Sequence, residues 1–376
     1  MSIPFLSLRD AYVALQPEID AAVQRVLDSG WYIGGAEVEA FEREWAAYTG
    51  AAHAVGVANG LDALVLALRA LGVGLGDEVI VPSNTYIATW LAVTQVGATP
   101  VPVEPVGATY NLDPARIEAA LTSRTRVLLP VHLYGQPADL DPILEIARQR
   151  GLLVLEDAAQ AHGARYRGAR VGAHGDAVAW SFYPGKNLGA FGDAGAVTTE
   201  RADVAERVRV LGNYGSRRKY HNEVRGVNSR LDPLQAAVLR VKLARLDEWN
   251  ARRAELAALY LAGLQGSGLI LPEVPAWAEP VWHLFVVRSA RRDRLQQRLA
   301  EAGIGTLIHY PVPPHLQPAY ADFRWPAGAF PLAKRIADEV LSLPMGPHLT
   351  PGEARQVVQQ LRAADSIPAG ERDDGR

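Results

Sequence analysis

The sequence predicts an α/β fold with a mostly parallel central sheet, followed by a smaller C-terminal α+β unit. Short apolar runs alternate with amphipathic stretches of helical length up to residue 199, which is typical of a parallel sheet covered on both faces. Polar residues follow directly after two of these apolar runs. A long helical stretch then leads into a second, shorter alternation.

The elements of the first unit follow from hydrophobic pattern and capping residues. Helices are expected at 10–29, 36–48, 60–71, 85–96, 113–121 and 139–150. Strands are expected at 53–57, 77–81, 99–103, 126–133, 152–156, 177–180 and 194–199. The Asp113-Pro114 pair marks the start of the fifth helix, because an Asp cap followed by Pro favours a helix N-terminus.

A long amphipathic helix over 233–264 leads into the second unit. The expected elements of that unit are strands over 281–288 and 304–309 and helices over 291–302, 331–340 and 351–363. We therefore predict a large domain over residues 1–245 and a small one over 246–363. The polar segment 364–376 is predicted to be disordered.

Composition excludes several classes of protein. The chain has 376 residues, a net charge of −3 and no cysteine, which argues against a general nucleic-acid binder and excludes disulfides and thiolate sites. The histidines show no metal-ligand spacing, so no metal is expected. The uncharged stretch 82–103 is long enough for a membrane span, but its polar residues and prolines favour strand, helix and strand in a soluble core. Because residues 1–10 also lack signal-peptide blocks, a cytoplasmic location is expected.

Lys186 follows the predicted strand 177–180, within the stretch SFYPGKNLG at 181–189. Pro184 and Gly185 end the strand, so the lysine side chain can reach into a cleft. Burial lowers the pKa of a lysine and makes it a nucleophilic amine. The alternative is a surface lysine in a turn.

Asp157 ends the predicted strand 152–156. In a doubly wound sheet, functional groups collect at the carboxyl ends of parallel strands, so Asp157 and Lys186 are expected there together. A lysine opposite a carboxylate suits pyridoxal phosphate, which takes a lysine as a Schiff base and a carboxylate on its ring nitrogen. A purely structural ion pair is the alternative.

The turn at 58–63 joins a strand to a helix. The N–H groups at a helix start could bind a phosphate, with help from the hydroxyl of Ser181. The alternative is a routine turn with Asn59 as the cap. Tyr86, early in the next helix, could stack on a flat ring or simply pack in the core.

Segment 213–230 combines basic and aromatic residues, which suits a diphosphate joined to a flat base. Its members are Tyr214, Arg217, Arg218, Lys219, Tyr220, His221, Arg225 and Arg230. A solvated loop or a nucleic-acid patch would have the same composition. His309 and Tyr310 follow a predicted strand of the small unit and could close over a substrate.

Five motifs carry a resemblance to a known family: VANGLDAL at 57–64, VPSNTYIATWLA at 81–92, LEDAAQAHGA at 155–164, SFYPGKNLG at 181–189 and NSRLDPLQAA at 228–237. The sequence resembles the DegT/StrS-type sugar aminotransferases, which have the aspartate-aminotransferase fold (fold type I). The resemblance implies that Lys186 binds pyridoxal phosphate covalently and that Asp157 holds its ring nitrogen. It assigns the remaining cofactor contacts to Asn59, Gly60, Leu61, Tyr86, Gln160 and Ser181, with Asn228 contributed by the neighbouring subunit of a homodimer.

Within that family, segments 81–93, 131–142 and 214–230 look like enzymes that aminate dTDP-3-keto-6-deoxyhexoses at C3. Glutamate would be the amino donor and a dTDP-3-amino-3,6-dideoxyhexose the product. The residues expected around this substrate are Tyr183, Tyr214, Arg217, Lys219, Tyr220, His309 and Tyr310. A 4-aminotransferase acting on a dTDP- or UDP-4-keto sugar and a catalytically idle, cofactor-binding regulatory protein are the alternatives. A related dehydratase subgroup with histidine at the lysine position is disfavoured by Lys186.

Overall fold

The computed structural model describes residues 2–365. The helices in this range are α1 Leu8–Val13, α2 Gln16–Ser29, α3 Ala36–Thr49, α4 Gly60–Ala70, α5 Ile87–Gln95, α6 Ile117–Ala120, α7 Leu140–Arg150, α8 Ala202–Gly212, α9 Pro233–Leu243, α10 Leu246–Leu264, α11 Arg292–Glu301, α12 Pro331–Glu339 and α13 Pro351–Asp365. Short 3-10 turns lie at Pro114–Arg116, Leu133–Gly135, Pro314–Leu316 and Pro318–Phe323.

The strands in the same range are β1 His53–Val57, β2 Glu78–Pro82, β3 Thr99–Val103, β4 Thr125–Leu128, β5 Leu153–Asp157, β6 Arg165–Tyr166, β7 Ala169–Arg170, β8 Ala177–Ser181, β9 Gly195–Thr199, β10 Ser216–Arg218, β11 His221–Asn222, β12 Ala278–Glu279, β13 Phe285–Arg288 and β14 Val340–Leu343. Within the described residues, seven of them form one sheet in the order β1-β9-β8-β5-β4-β2-β3.

The main sheet is mostly parallel, as predicted. Strands β3, β2, β4, β5 and β8 pair in parallel, and β9 runs antiparallel to both of its neighbours. In the β5–β8 pair, Asp157 lies opposite Ala179. The carboxyl ends of β5 and β8 therefore meet at one edge of the sheet, which is the arrangement that the candidate site requires.

Strand β5 buries both of its faces. On β5, Leu155 packs with Leu66 and Trp90 on the side of α4 and α5, whereas Val154 packs with Ile80 and Leu128 on the other side. This alternation follows from the two-residue period of a strand. Burying one such aliphatic side chain contributes roughly 1.5–3 kcal/mol, so the register of β5 is firmly set, and Asp157 must point to the side of Leu155.

The long helix predicted over 233–264 is wrong in one respect: the structure divides it into α9 and α10 at Ala244–Arg245. The first of these helices packs on α2 and α3, whereas the second packs on α13. The chain therefore breaks the helix where its packing partners change. The helix predicted over 10–29 is likewise divided, into α1 and α2, and Leu15 between them is buried with Ile19 and Val238.

The strand predicted over 304–309 is also wrong. In its place are isolated bridges, Ile3 to Ile304 and Leu307 to Ser342. The partner of β13 is instead β14, and Phe285 of β13 lies opposite Leu343 of β14. The sequence pattern predicts only a helix near 331–340. Helix α8, the hairpin of β10 and β11, and the short strands β6, β7 and β12 were not predicted. The strand expected over 126–133 ends at Leu128.

The division at residues 245 and 246 remains a prediction, because apolar side chains of the C-terminal part contribute to two clusters. Leu284, Val286 and Ile336 belong to the core of the large sheet. Tyr260, Phe285, Leu341 and Val357 belong to a separate apolar cluster of the C-terminal part, which Ile3 joins from the N-terminus. Helix α13 runs through Ala364 to Asp365, so the predicted disordered tail begins two residues too early. The rest of that tail lies outside the described residues.

The uncharged stretch 82–103 forms the end of β2, helix α5 and strand β3, as predicted. Among residues 2–365, no helix combines the length and the apolar character needed to cross a membrane.

Candidate active site

A cleft of about 860 Å³ opens where the carboxyl ends of β1, β5 and β8 meet the starts of α4 and α5. Most of the predicted site residues line it together: Asn59, Gly60, Leu61, Tyr86, Asp157, Gln160, Ser181, Tyr183, Lys186, His309 and Tyr310. The cleft also includes Arg253, His283 and Asp193. The predicted residues of segment 213–230 do not line it.

Lys186 lies in the turn that follows β8. The Lys186 N–H donates to the carbonyl of Tyr183 at 2.8 Å, which holds the turn, and the side chain is half-buried in the cleft. Desolvation lowers the pKa of Lys186 to about 8, although the negative charge of Asp157 acts in the opposite direction. A substantial fraction of the amine is therefore neutral near physiological pH, and the side chain is not a simple surface lysine.

Asp157 is buried on the same side of β5 as Leu155. Its Oδ2 accepts a hydrogen bond from Thr89 Oγ1 at 2.9 Å, and its Oδ1 accepts one from the N–H of Ala159 at 3.2 Å. Burial raises the pKa of Asp157, although both hydrogen bonds and Lys186 oppose that shift. A cationic group placed against this carboxylate would favour its ionised form.

Glu156, the neighbouring carboxylate, points to the opposite face of the sheet. Its Oε2 lies 2.9 Å from His132 Nε2, and its Oε1 accepts from the N–H of Gly175 at 2.7 Å. Since His132 Nδ1 accepts from the N–H of Ala138, the imidazole carries its proton on Nε2 and donates it to Glu156. Burial opposes ionisation of Glu156, but the contacts with His132 hold its pKa below the usual value. Glu156 is therefore structural.

The start of α4 forms a cradle for an anion. Asn59 Oδ1 accepts from the N–H of Asp62 at 2.8 Å, which confirms its role as the cap. The N–H groups of the first turn have no acceptor within the helix and bind anions well. Gly60 lies so close to Ser181 that a Cβ on it would be 2.5 Å from Ser181 Cβ, so only glycine lets the helix start beside that hydroxyl.

Gln160 is fixed by two hydrogen bonds. Its Oε1 accepts from the N–H of Tyr134 at 2.6 Å, and its Nε2 donates to the hydroxyl of Tyr310 at 2.9 Å. Gly135 continues this turn at φ +95°, where a Cβ would lie 2.7 Å from the backbone nitrogen of His283. The packing therefore directs the nitrogen of the Gln160 amide, a hydrogen-bond donor, towards the cleft.

Tyr86, His309 and Tyr310 form the upper wall of the cleft. The rings of Tyr86 and Tyr310 lie 5.1 Å apart, and Tyr86 is 52% exposed, so it is not a core residue. His309 Nδ1 lies 2.8 Å from Ser342 Oγ. Burial and the charge of Lys186 lower the pKa of His309 to about 4, so this imidazole is neutral at physiological pH.

A model of the DegT/DnrJ/EryC1/StrS aminotransferase family matches residues 13–362. The chain belongs to this family. It is similar to the erythromycin biosynthesis sensory transduction protein EryC1 of Saccharopolyspora erythraea, with 60% identity over 96% of this chain and all of that protein. It is also 60% identical to the dTDP-3-amino-3,4,6-trideoxy-alpha-D-glucose transaminase of Streptomyces venezuelae, over 96% of this chain and 95% of that enzyme.

A third relative is the dTDP-3-amino-3,6-dideoxy-alpha-D-galactopyranose transaminase of Aneurinibacillus thermoaerophilus, which is 56% identical over 96% of this chain and 98% of that enzyme. Among solved structures, DesV of S. venezuelae in complex with a ketimine intermediate superposes with a TM-score of 0.96 at 59% identity, covering 98% of this chain and all of that one. These similarities confirm the predicted fold type I architecture.

Pyridoxal phosphate is the cofactor of this aminotransferase family, and the cleft fits it. Lys186 offers a partly neutral amine, and Asp157 offers a buried carboxylate that lacks a strong cationic partner. The start of α4 and Ser181 offer donors for a phosphate. These features occur together at one edge of the sheet, as the cofactor requires.

Three residues of the site were missed by the sequence reading. Thr89, which fixes Asp157, is in turn 3.0 Å from Thr85 Oγ1. The available signal was the spacing of four residues between these threonines within the predicted helix 85–96, although α5 itself begins at Ile87. His283, considered only as a metal ligand, lies 3.1 Å from Asn187 Oδ1, and burial lowers its pKa far below the usual value. Arg253 had no sequence signal, since it is one of several arginines on an amphipathic helix.

Segment 213–230 lies outside the cleft of its own chain. Arg217 forms ion pairs with Glu206 at 2.7 Å and with Glu223. The Lys219 ammonium lies 5.2 Å from the ring of Tyr220, and the Arg230 guanidinium lies 5.5 Å from that of Tyr214. The roles predicted for these side chains therefore remain predictions.

Asn228 is exposed and does not line the cleft of its own chain either. Its neighbour Ser229 accepts a hydrogen bond through Oγ from the N–H of Ala58 at 3.1 Å, just before the cap of α4. The predicted contact between Asn228 and a phosphate thus remains a prediction that requires a second subunit.

Capture of pyridoxal phosphate by the cofactor-free protein should accelerate with rising pH, through an apparent pKa of about 8. The neutral amine is the nucleophile, and its fraction grows as the pH passes this pKa. Stopped-flow absorbance would measure the rate, with a lysine derivative of ordinary pKa, about 10.4, as the control. If the rate levels off only at the higher pH at which the rate of the lysine derivative levels off, the cleft does not lower the pKa of Lys186.

Proposed function

We propose that this chain transfers the amino group of glutamate to C3 of a dTDP-3-keto-6-deoxyhexose, giving a dTDP-3-amino-3,6-dideoxyhexose for deoxysugar biosynthesis. The observation that carries the proposal is Lys186, with its lowered pKa, facing buried Asp157 within one cleft. The substrate class is supported by two relatives named as dTDP-3-amino-sugar transaminases, at 60% and 56% identity. A cytoplasmic location is part of the proposal.

The roles of the residues follow from their positions. Lys186 holds the cofactor covalently through its amine and, when released, moves a proton at the substrate carbon as general acid and base. Asp157 would keep the ring nitrogen of the bound cofactor protonated, and the Gln160 amide would donate to its phenolic oxygen. The bound cofactor supplies an electron sink for the carbon that loses its proton. Tyr86 offers an aromatic face to the ring.

The phosphate of the cofactor is assigned to the start of α4. The N–H groups of Gly60 and Leu61 and the hydroxyl of Ser181 would be its donors, and Asn59 orients the turn through its cap. Tyr183, His309 and Tyr310 line the remaining space, where the sugar would lie. The neutral imidazole of His309 can exchange hydrogen bonds with sugar hydroxyls.

A regulatory protein is the second candidate, because one relative at 60% identity is named a sensory transduction protein. The presence of Lys186, Asp157 and Gln160 in one cleft argues for catalysis. One measurement distinguishes the two functions. An active transaminase loses its cofactor absorbance band when glutamate is added, whereas a catalytically idle protein that only binds the cofactor keeps that band.

The decisive experiment incubates the loaded enzyme with glutamate and a panel of dTDP-3-keto, dTDP-4-keto and UDP-4-keto sugars. Mass spectrometry and NMR would then identify the product. We expect a 3-amino sugar linked to dTDP. Preferential amination of a 4-keto sugar would overturn the regiochemistry, and failure to bleach with glutamate would support the regulatory alternative.

Substitution of Lys219 or Arg217 by alanine should raise KM for the ketosugar and leave the glutamate half-reaction nearly unchanged, since glutamate carries no diphosphate. Loss of one charged hydrogen bond corresponds to roughly a 10- to 100-fold effect. Lys219→Ala should have the larger effect, because Arg217 is already paired with two glutamates. Pre-steady-state absorbance would measure each half-reaction separately.

Lys334→Ala is the matched control for Lys219→Ala. Lys334 is another exposed lysine, paired with Asp338 on α12 and distant in sequence from the basic segment. Its replacement should change neither half-reaction. Equal damage to both half-reactions in the Lys219 and Arg217 variants would mean that the segment is structural.

We further propose a homodimer in which Asn228 of each subunit completes the partner's phosphate site. Mixed dimers of Lys186→Ala and Asn228→Ala subunits should then regain activity, because one of the two sites contains both native residues. Activity would be measured on heterodimers purified with two different affinity tags. An absence of recovery in verified heterodimers would count against shared sites.

A further inference from the structure

Arg253 lies on α10 in the wall between two cavities. It lines the cleft described above and also a neighbouring cavity of about 580 Å³, and Lys186 lines both as well. Only 3% of Arg253 is exposed. Burial lowers its pKa to about 10, so it still carries its positive charge at physiological pH.

The guanidinium of Arg253 is poorly satisfied by the protein. Its Nη1 donates to the carbonyls of Trp282, His283 and Met345 over 3.2 to 3.4 Å, and its Nε has no hydrogen-bond partner. Within residues 2–365, no carboxylate forms an ion pair with it, and its pKa is shifted by burial without an opposing negative charge. A buried charge without an ionic partner is costly, so this arginine points to an anionic ligand.

We propose that Arg253 binds a carboxylate of the amino donor. This inference rests on the proposed function, in which an amino acid must bring its nitrogen to the region of Lys186. A planar guanidinium binds a carboxylate through two parallel hydrogen bonds, and Arg253 lines the same cleft as Lys186.

The other residues of the cleft leave this role to Arg253. His283 and His309 have strongly lowered pKa values and are neutral, and Asp157 and Asp193 would repel a carboxylate. Lys186 is committed to the cofactor. Among the described residues that line the cleft, Arg253 is thus the one permanent cation left for the donor.

The test compares Arg253→Gln with the wild type in two half-reactions on the loaded enzyme. One uses glutamate, and the other is the reverse reaction with a dTDP-3-amino sugar, which has no carboxylate. We expect kcat/KM for glutamate to fall about 10- to 100-fold, while the amino-sugar reaction stays within about twofold. Arg253→Lys should recover part of the glutamate reaction, because lysine keeps the positive charge but lacks the two parallel N–H donors of the guanidinium.

Lys242→Gln is the matched control. Lys242 is another buried cation, donating to the carbonyl of Gly189 at 2.6 Å, but it lines only the neighbouring cavity. This variant should react normally with glutamate. Binding of 2-oxoglutarate to the pyridoxal phosphate form, measured by calorimetry, gives a readout without turnover, and it should weaken in Arg253→Gln and not in Lys242→Gln.

Equal loss in both half-reactions of Arg253→Gln, or unchanged 2-oxoglutarate binding, would overturn the role of Arg253. If Arg253→Gln does not fold, Arg253→Lys and the calorimetry decide the question. A wild-type enzyme that reacts with glutamate but with no dTDP-3-amino sugar would reject the proposed sugar substrate instead. The glutamate and 2-oxoglutarate measurements would then decide the role of Arg253 alone.

Discussion

Replacement of Lys186 with alanine should lower turnover by about 10⁴-fold, the upper range for loss of a positioned general acid and base. The variant also loses the amine that holds the cofactor, since Lys186 is the lysine that lines the cleft beside Asp157. Borohydride reduction of the wild-type holoenzyme followed by peptide mapping should place the pyridoxyl mass on Lys186. Steady-state kinetics with glutamate and the ketosugar would measure the loss.

The sequence offers a matched control in Lys242, a buried lysine whose pKa is also lowered to about 8 by desolvation. Lowered pKa alone would make both lysines reactive, but only Lys186 lines the cleft that contains Asp157. Lys242 should therefore carry no label after reduction. A pyridoxyl mass on Lys242, Lys219 or Lys334 would contradict the assignment of Lys186 as the cofactor-binding lysine.

Replacement of Asp157 with asparagine should slow turnover by about 100- to 1,000-fold and leave the fold intact. Loss of one buried partner of a charged group typically costs about 2–5 kcal/mol, and each tenfold change in rate corresponds to about 1.4 kcal/mol. Asparagine retains an oxygen that can accept from Thr89, so the effect should arise from the lost charge. Single-turnover absorbance would follow both half-reactions, and thermal unfolding would report stability.

Glu156→Gln is the control for this substitution, since Glu156 is the next residue but points to the other face of the sheet. Its loss of charge weakens the contact with His132 and should lower the free energy of unfolding by about 1–3 kcal/mol, with the half-reactions unchanged. Near-normal turnover of Asp157→Asn would show that Asp157 is merely structural.

The sequence by itself determined the parallel sheet and the central residues of the candidate site. Strand and helix patterns are local, and the carboxyl ends of neighbouring parallel strands must meet at one edge. The proximity of Asp157 and Lys186 could therefore be predicted from their positions after two apolar runs. The structure places both residues in one cleft at the ends of β5 and β8. The role of Asn59 as the cap of α4 could also be predicted, because capping signals are local in sequence.

The tertiary structure alone decided the rest. The break between α9 and α10 has no glycine or proline to signal it; it occurs because the two helices pack on different partners. The pairing of β13 with β14 depends on residues far apart in the chain. Arg253 resembles any other helical arginine until packing buries its guanidinium in the wall of the cleft, because the burial and pairing of a charge are set by distant residues and not by its neighbours in sequence.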